Sequence, residues 1–227
     1  MVFYRLQHYY KRWLNRDTAK GSVLEPLYGQ AAINGHQRFT NTKFLVVDCE
    51  MSGLDVKQSQ LLSIGWVLIE KGRIVNASAK HLLIHADKGA GDSTIIHGLH
   101  DSTIAGAKSV AAVLMLLIKQ MQDSVLVFHH APIDIQFLQS ASESVFRCPL
   151  LFSYVDTMAL EKRRQQMQGK HYSLRLSESR KRYGLGSVQQ HNALADALAT
   201  AELFLAQTSY IDRPENLKLK SLAMVCA

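Results

Sequence analysis

Apolar residues recur along this chain with two periods, and the points where the period changes divide it into elements. Phe3, Leu6, Tyr10 and Trp13 fall at helical spacing, with Arg5, Lys11, Arg12 and Arg16 around them, which predicts an amphipathic helix over residues 1–17. The expectation is that it packs its aromatic stripe on the rest of the fold. Partner contact, membrane-surface contact and organelle targeting are the alternatives, and Asp17 and Glu25 weigh against targeting. Residues 18–42 show no sustained period and mix Gly, Ser, Asn, Gln and Thr with short apolar pieces, so they read as a connecting segment, with the core starting near Thr42.

From there an apolar run over 44–47 ends in Asp48-Cys49-Glu50, and residues 60–70 and 72–84 supply two further strand-like stretches separated by Lys71-Gly72. Helical patterns follow at 95–99 and 110–121, then a strand at 125–128, a helix beginning near Pro132, and a long final helix over 193–206. Three strands in succession followed by interleaved helices predict an α/β domain with a mixed sheet. The expected organisation is an N-terminal amphipathic helix and connector (1–41), one catalytic domain (42–210) and a short tail (211–227).

Composition changes this picture in three ways. At 227 residues and 47% hydrophobic, the chain suits one compact domain with a full core. A formal charge of +7 favours an anionic partner, nucleic acid ahead of acidic membrane, because basic side chains displace counterions from phosphates. Cys49, Cys148 and Cys226 are odd in number and far apart, which argues against a disulfide framework or a structural zinc site and for a reducing, cytoplasmic setting. Nothing reads as stable membrane insertion, and the oligomeric state is left open.

The candidate chemistry lies in three segments. Asp48 and Glu50 are two apart on a strand, so both carboxylates face one side while Cys49 faces the other, and paired anions favour a cation between them. Asp134 follows Pro132 in what should be a first helical turn, at the end of the strand that also delivers His129 and His130. His191 and Asp196 are five apart, a poor match to one helical face. His191 is therefore placed in a loop, with Asn192 as N-cap of the helix that carries Asp196. Taken singly, each has an ordinary explanation as a solvated strand end, a helix-end carboxylate or a surface histidine; together they point to a metal-dependent site.

The strings DCEMSGL at 48–54, HHAPIDIQFL at 129–138 and HNALADA at 191–197 resemble, in order and separation, the three motifs of the DnaQ-like, DEDDh class of 3′–5′ exonucleases, with further similarity at 96–99 and 155–157. The resemblance covers about residues 43–207. It implies a ribonuclease H-like fold, with a mixed central sheet flanked by helices and here an N-terminal helical extension. It implies that Asp48, Glu50, Asp134 and Asp196 ligate two divalent cations, Mg²⁺ or Mn²⁺, with His191 as general base. Met51, Ser52, Gly53 and Leu54 would lie against the terminal nucleotide, and His97 and His130 beside it.

The implied partner is the 3′ end of single-stranded nucleic acid, with a polymerase or other protein as a further partner. The family often carries Thr, Asn and Phe where Met51, His130 and Ile133 stand, and the D-C-E-M start is similar to the RNA-trimming branch that includes oligoribonucleases. RNA trimming is therefore the alternative to DNA proofreading or repair, and a non-catalytic nucleic-acid-binding protein on the same fold is the rival from another class. Between residues 161 and 183 basic residues outnumber acidic ones, and Arg180, Lys181 and Arg182 are expected to form an electrostatic track for the strand.

Overall fold

The computed structural model describes residues 2–31, 33–85, 107–188 and 192–227. Two helices come first, α1 (Val2–Ala19) and α2 (Glu25–Gly29), followed by a 3-10 turn (Phe39–Asn41). The sheet is then built from β1 (Lys43–Met51), β2 (Leu61–Glu70), β3 (Arg73–Leu83), β4 (Ser124–Phe128), β5 (Ser153–Asp156) and β6 (Val225–Cys226). Interleaved helices are α3 (Val110–Met121), α4 (Ala131–Phe146), α5 (Thr157–Met167), α6 (Leu176–Arg182) and α7 (Ala193–Ser209).

The six-stranded sheet has the order β3-β2-β1-β4-β5-β6. β1, β4 and β5 run parallel, while β2, β3 and β6 pair antiparallel at the two sides, so the sheet is mixed as expected. Lys71 and Gly72 both take positive φ (51° and 72°), the two-residue turn that matches the right-handed twist of a hairpin and joins β2 to β3.

Strand parity sorts the core. On β1, Leu45, Val47 and Cys49 face a layer with α3 and α4 through Leu114, Leu117, Phe137 and Leu138. Phe44 and Val46 face the opposite layer, with Ala201 and Phe204 of α7. Both layers are closed by segments from outside 42–210. Leu24, Leu27 and Tyr28 join the first; Phe39, Leu217, Leu219 and Leu222 join the second. Phe39 N–H donates to Leu217 O at 2.8 Å, and its ring lies 4.9 Å from that of Phe44. Packing thus continues across residues 41–42 and 210–211, and the buried core includes residues as early as Ala19.

The N-terminal helix forms over the expected residues, but its orientation reverses the expectation. Leu6, Tyr10 and Trp13 of the aromatic stripe are exposed, and the opposite face docks. Among the described residues no helix is long and apolar enough to cross a membrane. The helical pattern expected at 95–99 lies outside the described residues.

Candidate active site

β1 carries the site because its parity continues past the hydrophobic core. Phe44 and Val46 point to the α7 layer, so Asp48 and Glu50 do too. α7 is started by Asn192, whose side chain accepts from the N–H groups of Leu194 and Ala195 at 3.2 and 3.1 Å. Asp196 follows on the first turn and meets β1. Asp48, Glu50 and Asp196 each offer an oxygen, and the three lie within 4.8 Å of one another.

Gly65 makes that approach feasible. It is the β2 residue paired with Asp48, and a Cβ built there would sit 2.2 Å from the Ala193 carbonyl carbon and 2.3 Å from Leu194 N. Only a glycine lets the start of α7 lie directly on the sheet beside the carboxylates. Sequence reasoning missed this residue, although an isolated glycine inside an otherwise apolar strand was the signal for it.

Asp134 arrives from the other side of the sheet. The β1–β4 ladder ends at Val46↔Val127, and farther along β1 the Cys49 N–H donates to Asp134 Oδ1 at 3.0 Å. The fourth carboxylate therefore stands at the edge of β1 beyond the end of β4, 6% exposed, beside the group of three. Burial, then the charges of Asp134, Asp196 and Glu50, push the Asp48 carboxyl well above the usual range. Asp134 is pushed up to about 7, by burial first and by Glu50, against the opposing bond from Cys49. Partly buried, mutually repelling carboxylates with only oxygen to offer fit a hard divalent cation.

The surrounding residues fall into two groups. Ser52 N–H donates to Gln60 O and Gln60 N–H to Ser52 Oγ, both at 2.9 Å, so the loop after β1 closes on itself. A side chain on Gly53 would crowd Ser59 Oγ, Met51 packs on the core, and Leu54 projects with 79% exposure. Asp156 does work that the sequence did not reveal: it accepts from His130 N–H, Ala131 N–H and Met158 N–H at 3.0, 3.3 and 2.9 Å. One carboxylate therefore ties the starts of α4 and α5 together. His130 itself is exposed, with φ 71°, and its side chain faces outward.

The three residues of the expected basic track stand in different surroundings. Arg180 is buried, with its guanidinium on Ala199 O (2.7 Å), Gly186 O (3.1 Å) and Glu202 (2.7 Å), so it staples α6 to α7. Arg182 donates to Glu161 at 2.8 Å and to Ser173 O at 2.8 Å. Burial tends to raise the Glu161 carboxyl, yet bonds from Tyr183 and Arg182 hold it below its ordinary value. Of the triplet only Lys181 is largely exposed, and it pairs with Glu178 at 2.7 Å. His191 and His97 lie outside the described residues.

The exonuclease family model (RNase_T) matches residues 45–204, a span that takes in all four carboxylates. The chain belongs to this exonuclease family, on a ribonuclease H-like α/β fold. It is 30% identical over 202 residues to a PolC-type DNA polymerase III of Thermotoga petrophila, a match covering 83% of this chain and 14% of that protein. The chain thus spans a small part of the curated relatives it matches. In fold it is similar to Escherichia coli exonuclease I, solved in a zinc-bound complex with single-stranded DNA (TM-score 0.62, 14% identity, 77% of this chain and 42% of that one). Exonuclease I of Methylocaldum szegediense is similar to the same degree (TM-score 0.61, 16% identity, 77% and 42%).

Proposed function

We propose that this chain is a metal-dependent 3′–5′ exonuclease that hydrolyses single-stranded nucleic acid from its 3′ end and releases nucleoside 5′-monophosphates. The convergence of Asp48, Glu50 and Asp196 on one point, with Asp134 held beside them by the Cys49 amide, carries the reading. These residues fit Mg²⁺ or Mn²⁺, and a pair of such ions supplies the Lewis acidity that in-line phosphodiester cleavage needs. In this reading Asp48, Glu50, Asp134 and Asp196 would hold the cations. His191 takes the proton from the attacking water, a task suited to an imidazole near neutral pH.

The loop Met51-Ser52-Gly53-Leu54 receives the terminal nucleotide, with Leu54 packing on its base, and His97 and His130 flank it. The segment 42–210 carries the candidate catalytic residues, with 1–41 and 211–227 as N- and C-terminal flanks that pack into the same core. DNA is the favoured substrate, since the relatives are DNA polymerases and the similar folds are DNA exonucleases. The D-C-E-M start keeps RNA trimming as the second reading.

The test is a time course on 5′-labelled DNA and RNA single strands of one sequence with Mg²⁺, Mn²⁺ or chelator, comparing wild type with Asp196→Ala. Metal-dependent shortening from the 3′ end that the substitution abolishes is expected, faster on DNA. Binding without degradation in either metal would leave a non-catalytic nucleic-acid-binding protein. Stoichiometric co-purification with a polymerase would add the proofreading role.

A further inference from the structure

Helix α1 is attached by its polar face. Residues 8, 12, 15 and 19 lie one or two turns apart on its inner side: His8 Nδ1 is 3.3 Å from Ala227 O, and Arg12 Nη1 donates to Gln30 O at 2.8 Å. The Asn15 carbonyl is 3.9 Å from Cys148 Sγ, and Ala19 is buried. On the outer side Leu6, Tyr9, Tyr10, Trp13 and Leu14 follow the i, i+3, i+4, i+7, i+8 spacing of one face, with exposures of 62, 50, 62, 74 and 57%. The Tyr10 and Trp13 rings stand 6.4 Å apart on that face. A contiguous exposed surface of this kind marks a contact that is made with something else.

We propose that the outer face of α1 is a docking surface for an anionic lipid membrane, on which the helix lies in plane. The net charge of the helix selects the occupant: by sequence it holds Arg5, Lys11, Arg12 and Arg16, with Lys20 just past its end, against Asp17 alone, and of these Arg12 is turned inward onto the Gln30 carbonyl. A second copy would set this basic helix against itself, whereas acidic headgroups would neutralise it. Tyr and Trp keep a polar tip on an apolar body, which suits the boundary between headgroup and acyl chain. No described helix could cross the bilayer, so the attachment is peripheral. The inference goes beyond the nuclease reading and does not rest on it.

The experiment mixes the full chain with vesicles of phosphatidylcholine alone or with added phosphatidylglycerol, reading co-flotation and tryptophan emission. The chain has two tryptophans and Trp66 is 3% exposed in β2, so a blue shift reports Trp13. Flotation with the anionic vesicles only, weakened by salt, is expected, and Tyr10→Ala with Trp13→Ala should lower binding by about tenfold or more. The same variant keeps its melting temperature and its activity on short oligonucleotides, which separates docking from folding and from catalysis. Absence of flotation on anionic vesicles would overturn the proposal. So would a concentration-dependent dimer in light scattering that the same two substitutions dissolve.

Discussion

Asp134 shows at the scale of one residue what the site demands of the fold. Its carboxyl is raised to about 7, above its value in an unfolded chain, so the native state holds the proton more tightly. A raised carboxyl contributes stability at pH below the unfolded value, and that contribution is lost as pH rises from about 4 to about 7. The metal-free protein should therefore melt at a lower temperature at pH 7.5 than at pH 5, and a divalent cation should restore it. Asp134→Asn keeps the acceptor for the Cys49 amide and removes the charge. It should raise the melting temperature of the metal-free protein at pH 7.5 while abolishing hydrolysis; a thermal melt and a rate assay read the two effects. Gly65 acts through space it leaves empty. Gly65→Ala forces α7 off the sheet, so a loss of about 1–3 kcal/mol in denaturant titration is expected, with kcat falling more than substrate binding.

At the scale of elements, the site depends on how α7 is held. Asn192 starts it, Gly65 seats it, and Arg180 ties its middle to α6. Arg180→Met removes the staple and leaves the Ala199 and Gly186 carbonyls without it, so stability should fall by about 1–3 kcal/mol with little dependence on salt. Lys181→Gln should leave stability within about 0.5 kcal/mol of wild type, since an exposed pair contributes little. If Lys181 reaches the strand, that variant raises the Michaelis constant at low salt and loses the effect at high salt. The contrast between the two variants distinguishes a structural arginine from a phosphate contact, two roles that look alike in one basic run of sequence.

At the scale of the whole molecule, the flanking segments are structural parts of the core. Leu217, Leu219 and Leu222 are each no more than 1% exposed, and β6 extends the sheet beside β5. Deleting residues 211–227 would uncover Phe39, Phe44 and Phe204 and forfeit at least about 2 kcal/mol for each leucine, against a typical total of 5–15. The truncated chain is expected to lose its cooperative melt and to aggregate, although residues 42–210 carry every candidate ligand; a soluble, active truncation would contradict that packing.

Elements with a strong period are legible in the amino-acid sequence itself. The residues of β1, β2, β3, β4, α3 and α7 stand within a few positions of where alternation or helical spacing places them, because local burial decides those patterns. The parity of Asp48 and Glu50, the Asn192 cap and the oxygen-rich chemistry are local facts as well. Hydrophobic pattern could not tell which face of α1 docks, since the stripe that looks like a core contact faces outward and a polar face makes the bonds. The placement of Asp134 against the Cys49 amide, the Asp156 clamp and the internal use of Arg180 depend on segments 19 to 85 residues apart meeting in space. Sequence alone determined which side chains carry the chemistry, because residue type and local period are written residue by residue. Which of them converge on one point, which stand beside it and which are consumed as fasteners was decided by the layering of helices on the sheet, a property of long-range packing that no local pattern encodes.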